Sequence, residues 1–135
     1  MDLASLRQLL GPLFPGHLGI EWVEVTADRV VATLAVRPEL CTTGAVMHGG
    51  ALMAFADTLG AVGTLANLPK GARTTTVESS TKFVGPAAVG STVEGLCTPF
   101  HRGRTTMVWQ TLVRSSTGRL CAVVTQTQLL LPAEA

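Results

Sequence analysis

Hydrophobic and polar residues alternate along much of this 135-residue chain. Residues 17–25 alternate clearly and β-branched residues fill 28–36, so these two stretches predict a β-hairpin. The same kind of pattern returns four times after Gly71, with turn residues between the stretches. Short connections of this kind imply antiparallel neighbours. The later strands are predicted at residues 73–84, 88–101, 104–114 and 119–131.

Residues 49–65 break this alternation. They contain no proline and are rich in Ala, Leu and Met, which predicts one long helix that ends before Asn67 and Pro69. The predicted helix is apolar on nearly every side, so it has to be covered on most of its faces. Its many glycines and alanines indicate that strands or another helix approach it closely.

These elements predict an α+β fold. A single curved antiparallel sheet wrapped around the long central helix covers that helix economically in a chain of this length. Residues 1–16 are interpreted as a short N-terminal helix, stopped at Pro12, and an entry loop. Residues 1–135 are too few for two ordinary domains and a linker, so we predict one domain.

The composition narrows the choice of partners. Ten basic and nine acidic residues give a formal charge of +1, so no net field favours nucleic acid or an anionic membrane. Hydrophobic residues make up 47% of the chain and charged residues only 14%, which is a lean surface for a small domain. We therefore expect a partner copy of the chain to cover part of the apolar surface.

Neither a membrane span nor a metal site is predicted. Residues 49–66 have nearly the length of a span, but Asp57 lies at their centre. Asp2 stands where a signal peptide carries positive charge. The cysteines are odd in number without C-x-x-C spacing, and the histidines lack metal-ligand spacing. These features favour a protein of the reducing cytoplasm.

Asp57 is the only formally charged residue between Glu39 and Lys70. A buried carboxylate without a partner is strongly destabilising. Two explanations are open. In the first, Asp57 caps a loop, meets a basic group such as Arg73 or lies on an exposed stripe; in the second, it has a chemical role.

Gly49 and Gly50 follow His48 at the predicted start of the helix. First-turn N–H groups have no partner within a helix, and the helix dipole suits them to a developing oxyanion. The plainer alternative is a flexible glycine entry with His48 as an ordinary polar residue. Gly49 and Asp57 lie eight positions apart, which is about 12 Å along a helix axis. If both act on one substrate carbonyl, they must come from different subunits of a two-fold dimer.

The stretch MHGGALMAFADTLGA, with KFVGPAAVGSTVEGLCTPFHRGR and GRLCAVVTQTQLLLP, resembles the hotdog-fold acyl-CoA thioesterases. Among these enzymes, the sequence is most similar to the phenylacetate-degradation type, which is related to the hydroxybenzoyl-CoA thioesterases. The similarity runs from about Leu18 to Pro132. It implies hydrolysis of an aryl or medium-chain acyl-CoA to a free acid and CoA, with CoA as part of the substrate and no separate cofactor. It also implies a homo-oligomer, a dimer at least and typically a homotetramer that is a dimer of dimers.

The resemblance implies roles for individual residues. Asp57 becomes the catalytic carboxylate, either as nucleophile on the thioester or as base for the attacking water. The Gly49 amide polarises the thioester carbonyl from the facing subunit, and Gly50 lies beside it. His48 supports the start of the helix and lines the acyl site. Whether the acyl group is carried by CoA or by an acyl-carrier protein stays open.

Three further positions are expected to matter in such a site. A hydroxyl residue that helps to hold water in some members maps to Thr75, with Thr74 and Thr76 as neighbouring choices. Thr42 departs from the family pattern, since many members carry Asn or Gln there. Gln126 is a smaller departure, because relatives often have glycine.

Arg102 and Arg104 flank a glycine at a predicted hairpin tip, where they could meet CoA phosphates or form an ordinary solvated turn. Cys41 is a weak alternative nucleophile, because nothing in the sequence marks it as a thiolate. A non-catalytic acyl-CoA-binding hotdog module is the main alternative function. A hotdog dehydratase or hydratase fits less well, since His48 followed by Asp57 differs from the usual pattern of that group.

Overall fold

The computed structural model describes residues 1–134. Six strands form one antiparallel sheet in the order β1-β2-β6-β7-β8-β5, and β3 pairs with β4 in a separate ribbon. The predicted α+β fold, with a long helix wrapped by a curved sheet, is confirmed. The helices are α1 (Leu3–Leu10), α2 (Phe14–Leu18) and α3 (Gly49–Leu65), and the strands are β1 (Glu21–Val25), β2 (Val30–Ala35), β3 (Cys41–Thr42), β4 (Val46–Met47), β5 (Arg73–Phe83), β6 (Thr92–Arg102), β7 (Thr106–Ser115) and β8 (Leu120–Leu131).

The first and fourth predicted strands, at residues 17–25 and 88–101, begin too early. His17 and Leu18 belong to α2, which ends at Gly19 with φ +90°, a backbone conformation that favours glycine. The residues before β6 form a turn instead, in which Gly90 has φ +82° and donates its N–H to the Val36 carbonyl. At both places the alternating sequence pattern therefore begins before the residues that form the hydrogen-bonded strand.

Helix α3 packs across strands β2 and β5 to β8. Its buried side includes Leu52, Phe55 and Leu59, which belong to the hydrophobic core. The opposite side is only partly covered, and it includes a stripe at helical spacing: Gly50, Met53, Ala54, Asp57 and Ala61. The sheet of one chain thus covers one side of the helix, and the other side stays open.

Trp109 on β7 explains one of the helix glycines. A Cβ atom on Gly63 would lie 3.0 Å from the Trp109 ring, which is a tighter contact than side chains normally make, so glycine lets the indole pack close to α3. The indole N–H donates to Thr64 Oγ1 at 2.9 Å, and that hydroxyl donates to the Gly60 carbonyl at 2.9 Å. The close approach expected from the small residues is confirmed here.

Within residues 1–134, no helix is both long enough and apolar enough to cross a membrane.

Replacing Trp109 by Phe should destabilise the fold. The variant loses the hydrogen bond to Thr64 and leaves a gap beside Gly63, which together should lower the free energy of unfolding by about 2 kcal/mol. Urea denaturation of Trp109→Phe, Thr64→Val and the double variant gives the coupling between the two side chains. Strictly additive losses would contradict a direct interaction.

Candidate active site

The start of α3 is capped by His48. Its Nδ1 accepts the Gly50 N–H at 2.8 Å, so a neutral His48 carries its proton on Nε2. The Gly49 N–H donates no hydrogen bond within residues 1–134. Of the two glycine amides predicted as donors, Gly49 is therefore the free one, and Gly50 is already occupied.

A side chain on either glycine would crowd a neighbouring ring. A Cβ atom on Gly49 would lie 3.0 Å from the Phe83 ring, and one on Gly50 would lie 2.9 Å from His48 Nδ1. Phe83, at the end of β5, is 56% exposed. It forms an apolar wall beside the free amide. Nothing in the sequence marks Phe83 as part of a site, since an exposed aromatic gives no signal of its own.

Asp57 is half-buried in the open stripe of α3, and its Oδ1 accepts two hydrogen bonds. The Thr76 hydroxyl donates at 2.6 Å and the Gln126 amide at 3.2 Å. Arg73, the basic partner considered from the sequence, pairs with Glu134 at 3.2 Å instead. Within residues 1–134 no Lys, Arg or His pairs with Asp57. Neutral hydrogen-bond donors and partial exposure to solvent, rather than a cation, therefore stabilise this carboxylate.

The structure distinguishes the three β5 threonines by their contacts with Asp57. Thr76, rather than Thr75, contacts Asp57, because Thr75 points to the opposite and more exposed face of the strand. Thr74 shares the inner face with Thr76, and its hydroxyl donates to the Leu129 carbonyl at 3.0 Å. Sequence alternation fixes which residues share a face but not which face meets the helix.

A cleft of about 430 Å³ lies between α2 and the start of α3. His48 and Gly50 line it together with apolar side chains such as Phe14 and Leu40. Thr42 is not among its lining residues and is exposed on β3. The cleft is large enough for a small acyl or aryl group.

The two arginines of the hairpin tip differ. Arg102 donates to Asp28 Oδ1 at 2.7 Å and to the Ala27 carbonyl at 2.8 Å, which ties this tip to the β1–β2 turn. Arg104 is exposed, forms no ion pair within residues 1–134, and lines a second cleft of about 480 Å³ beyond the end of α3. Arg104 is therefore the free cation of the two.

The cysteines offer no activated nucleophile. All three are free thiols, and burial raises the pKa of the Cys97 thiol to about 12. The Cys41 thiol donates to the Arg37 carbonyl at 3.4 Å. Among residues 1–134 no cluster of three His, Cys, Asp or Glu side chains could hold a metal ion.

The fold and the arrangement around α3 define a hotdog protein with a candidate hydrolytic site. A family model described as the thioesterase superfamily matches residues 44–122, which include α3, β5 and β6. The chain belongs to this superfamily, and membership places it among thioester hydrolases.

Individual relatives agree with this assignment. The proofreading thioesterase EntH of Cronobacter turicensis is 31% identical over 90% of this chain and 88% of its own length. A crystal structure of a thioesterase from Haemophilus influenzae has a TM-score of 0.93 at 28% identity, and the match covers 100% of this chain and 94% of that one. The PaaI protein from the phenylacetic acid degradation operon of E. coli, at 19% identity, shares the fold with a TM-score of 0.85 over 97% of this chain and 92% of its own.

Proposed function

We propose that the protein hydrolyses an acyl-CoA thioester to a carboxylic acid and free CoA. The observation that carries this proposal is Asp57, a half-buried carboxylate without a cationic partner on the open stripe of α3. The free Gly49 amide at the start of the same helix supplies the complementary donor. A thioester carbonyl needs both a donor for its oxygen and a nucleophile or base for its carbon.

The chemistry follows from these two groups. The Gly49 N–H, aided by the helix dipole, polarises the carbonyl and stabilises the negative oxygen that forms on attack. In one route Asp57 attacks the carbon, CoA leaves as a thiolate, and water then hydrolyses the resulting anhydride. In the other route Asp57 takes a proton from water, and the hydroxide attacks the carbon directly. Both routes give one acid and one thiol per water consumed.

The remaining predicted residues take supporting roles in this proposal. His48 holds the start of α3 through Gly50 and presents Nε2–H to the cleft that we assign to the acyl group. Gly50 provides room for that ring rather than a second donor. Thr42 stays outside the cleft, so the acyl group is selected by the apolar walls around His48. Thr76 takes the place expected of Thr75.

A complete site requires two copies of the chain. Gly49 and Asp57 lie eight residues apart in one helix, about 12 Å along its axis. Two antiparallel α3 helices related by a two-fold axis would bring Gly49 of one copy to Asp57 of the other. The open stripe of α3, which contains Asp57, would be covered in such a dimer.

The edge strand β5 supports a specific register for this dimer. Inside one chain, Phe83 lies against Gly49 and Thr76 contacts Asp57. If Gly49 of one copy is to meet Asp57 of the other, the two-fold axis has to cross β5 between Thr76 and Phe83. Pairing β5 with its copy around Ser80 would place Glu78 opposite Lys82 twice, giving opposite charges at directly facing positions.

The same register accounts for two unsatisfied hydroxyls. Ser79 Oγ and Thr81 Oγ1 are buried on the inner face of β5 and have no hydrogen-bond partner within residues 1–134. With Ser80 on the axis, Ser79 would face Thr81 of the second copy. Each orphan hydroxyl would then gain a partner across the interface.

Replacing Asp57 by Asn should abolish most of the activity. The amide can neither attack the thioester nor accept a proton from water, so kcat should fall at least about a hundredfold. The measurement is release of free thiol from a panel of aryl and fatty acyl-CoA esters, with circular dichroism and oligomer size as controls. Tight ester binding by wild type without any turnover would instead favour the acyl-CoA-binding module.

Exchanging charges on β5 tests the dimer. Glu78→Lys should weaken the dimer about tenfold or more, because Lys would face Lys82 of the other copy at both ends of the register. Glu78→Lys combined with Lys82→Glu restores opposite charges and should recover the association measured by analytical ultracentrifugation. A double variant as weak as the single one would contradict the register.

The two tip arginines should differ in their effect on CoA esters. Arg104→Ala should raise KM severalfold, about 1 kcal/mol of phosphate contact, with little change in kcat. Arg102→Ala serves as the matched control, since Arg102 is already paired with Asp28. The increase in KM should vanish with an N-acetylcysteamine thioester, which lacks phosphates. An equal change in KM for both thioesters would exclude a phosphate contact.

A further inference from the structure

Gln126 on β8 is the most unusual buried side chain near Asp57. It is 1% exposed, and its amide lies directly against the backbone of α3 at Gly60. A Cβ atom on Gly60 would overlap the Gln126 amide group. The helix therefore has a notch at Gly60 that admits this one polar side chain.

The amide nitrogen of Gln126 faces three oxygen atoms. Nε2 lies 3.1 Å from the Asp57 carbonyl, 3.2 Å from Asp57 Oδ1 and 3.0 Å from Gln128 Oε1. A carbonyl, a carboxylate and an amide oxygen are all acceptors, so the donor end of Gln126 must point towards Asp57. One N–H serves Asp57 and the other serves Gln128.

The orientation of Gln128 is fixed independently. The Thr74 hydroxyl donates to the Leu129 carbonyl, so it can only accept from Gln128 Nε2, at 3.0 Å. Gln128 Oε1 consequently faces Gln126 and Thr76. A buried hydrogen-bond chain thus runs from the β8 backbone to the carboxylate of Asp57.

Thr76 has two acceptors within reach. Its hydroxyl lies 2.6 Å from both Asp57 Oδ1 and Gln128 Oε1, yet it has only one proton to donate. Gln126 has two protons and therefore contacts Asp57 whichever acceptor Thr76 serves. In contrast, Oδ2 of Asp57 accepts no hydrogen bond within residues 1–134.

We propose that Gln126 is a positioning residue for the hydrolysis. It clamps Oδ1 and the backbone carbonyl of Asp57 against β8, and it leaves Oδ2 as the oxygen that attacks the thioester or takes the proton from water. The proposal rests on the proposed function, because it assigns the reacting oxygen of that site. A carboxylate held in this way already has its reactive geometry before the substrate binds. Because no further ordering is needed in the chemical step, kcat rises.

The stability of the fold does not explain why residue 126 is a glutamine. Its own Oε1 is buried and has no hydrogen-bond partner within residues 1–134. An unsatisfied buried acceptor destabilises a protein, and apolar side chains of similar size fill such positions without that cost. The amide is better explained by the N–H that it donates to Asp57.

The test compares Gln126→Met with wild type, Asp57→Asn and Thr111→Val. Methionine keeps the length and volume of the side chain but removes its donors. Thr111→Val is the matched control, because it removes a buried hydroxyl from the neighbouring strand β7 without touching Asp57. The readouts are kcat and KM for the best ester, the thermal midpoint and the oligomer size.

Gln126→Met should lower kcat about tenfold to a hundredfold and change KM less than about threefold, with the fold and the assembly intact. Thr111→Val should keep the kcat of wild type. If Gln126→Met retains wild-type kcat, or if its kcat falls only in step with a lost thermal midpoint, the positioning role is wrong. Should Gln126→Met fail to fold, Gln126→Ala with Gly60→Ala removes the same donors, places a methyl group where the amide lay, and should show the same loss of kcat.

A failure of the proposed function looks different. Wild type would then release no thiol from any ester, and Asp57→Asn would match it. When wild type turns over and Asp57→Asn does not, the result for Gln126→Met decides the present inference alone.

Discussion

The hydrogen bonds to Oδ1 of Asp57 are the interaction on which the site depends. A carboxylate in an apolar helix usually needs a cation, yet here a hydroxyl and an amide hold it. A neighbouring Arg or Lys would stabilise the negative charge more strongly, but it would also reduce the reactivity of the oxygen. Neutral donors on one oxygen keep the group in place and leave the other oxygen available, which suits a nucleophile or base.

The glycines of α3 connect this interaction to the fold. Gly49 admits the Phe83 ring, Gly60 admits the Gln126 amide and Gly63 admits the Trp109 indole. Each glycine lowers the intrinsic helix propensity, so the helix relies on the sheet for its stability. In return, the sheet reaches the helix backbone at three places, and these contacts fix the helix with respect to β5, β7 and β8. Asp57 and the Gly49 amide lie on the helix that these contacts hold in place.

The sequence predicted the fold and the limits of α3 correctly, because an uninterrupted apolar segment between strand patterns has one simple interpretation. The sequence did not separate Thr76 from Thr75, since alternation does not show which face of β5 meets the helix, and a bulge between Thr76 and Glu78 shifts the pattern. The pairing of Arg102 with Asp28 joins residues 74 positions apart, and local patterns carry no information about it. For the same reason, Gln126 could be noted as unusual but not connected to Asp57.

The separation of Gly49 and Asp57 along one rigid helix limits what a single chain can do. No side-chain rotation brings a short carboxylate about 12 Å to the start of its own helix, and unwinding α3 would break the contacts at its glycines. A long edge strand with unpaired backbone groups and exposed apolar side chains, such as Val77 and Phe83, is a liability unless another chain covers it. The edge that needs covering and the proposed site, which would need a donor from a second chain, lie on the same side of the molecule. Pairing two copies would satisfy both needs at once, so assembly and activity should depend on the same contacts.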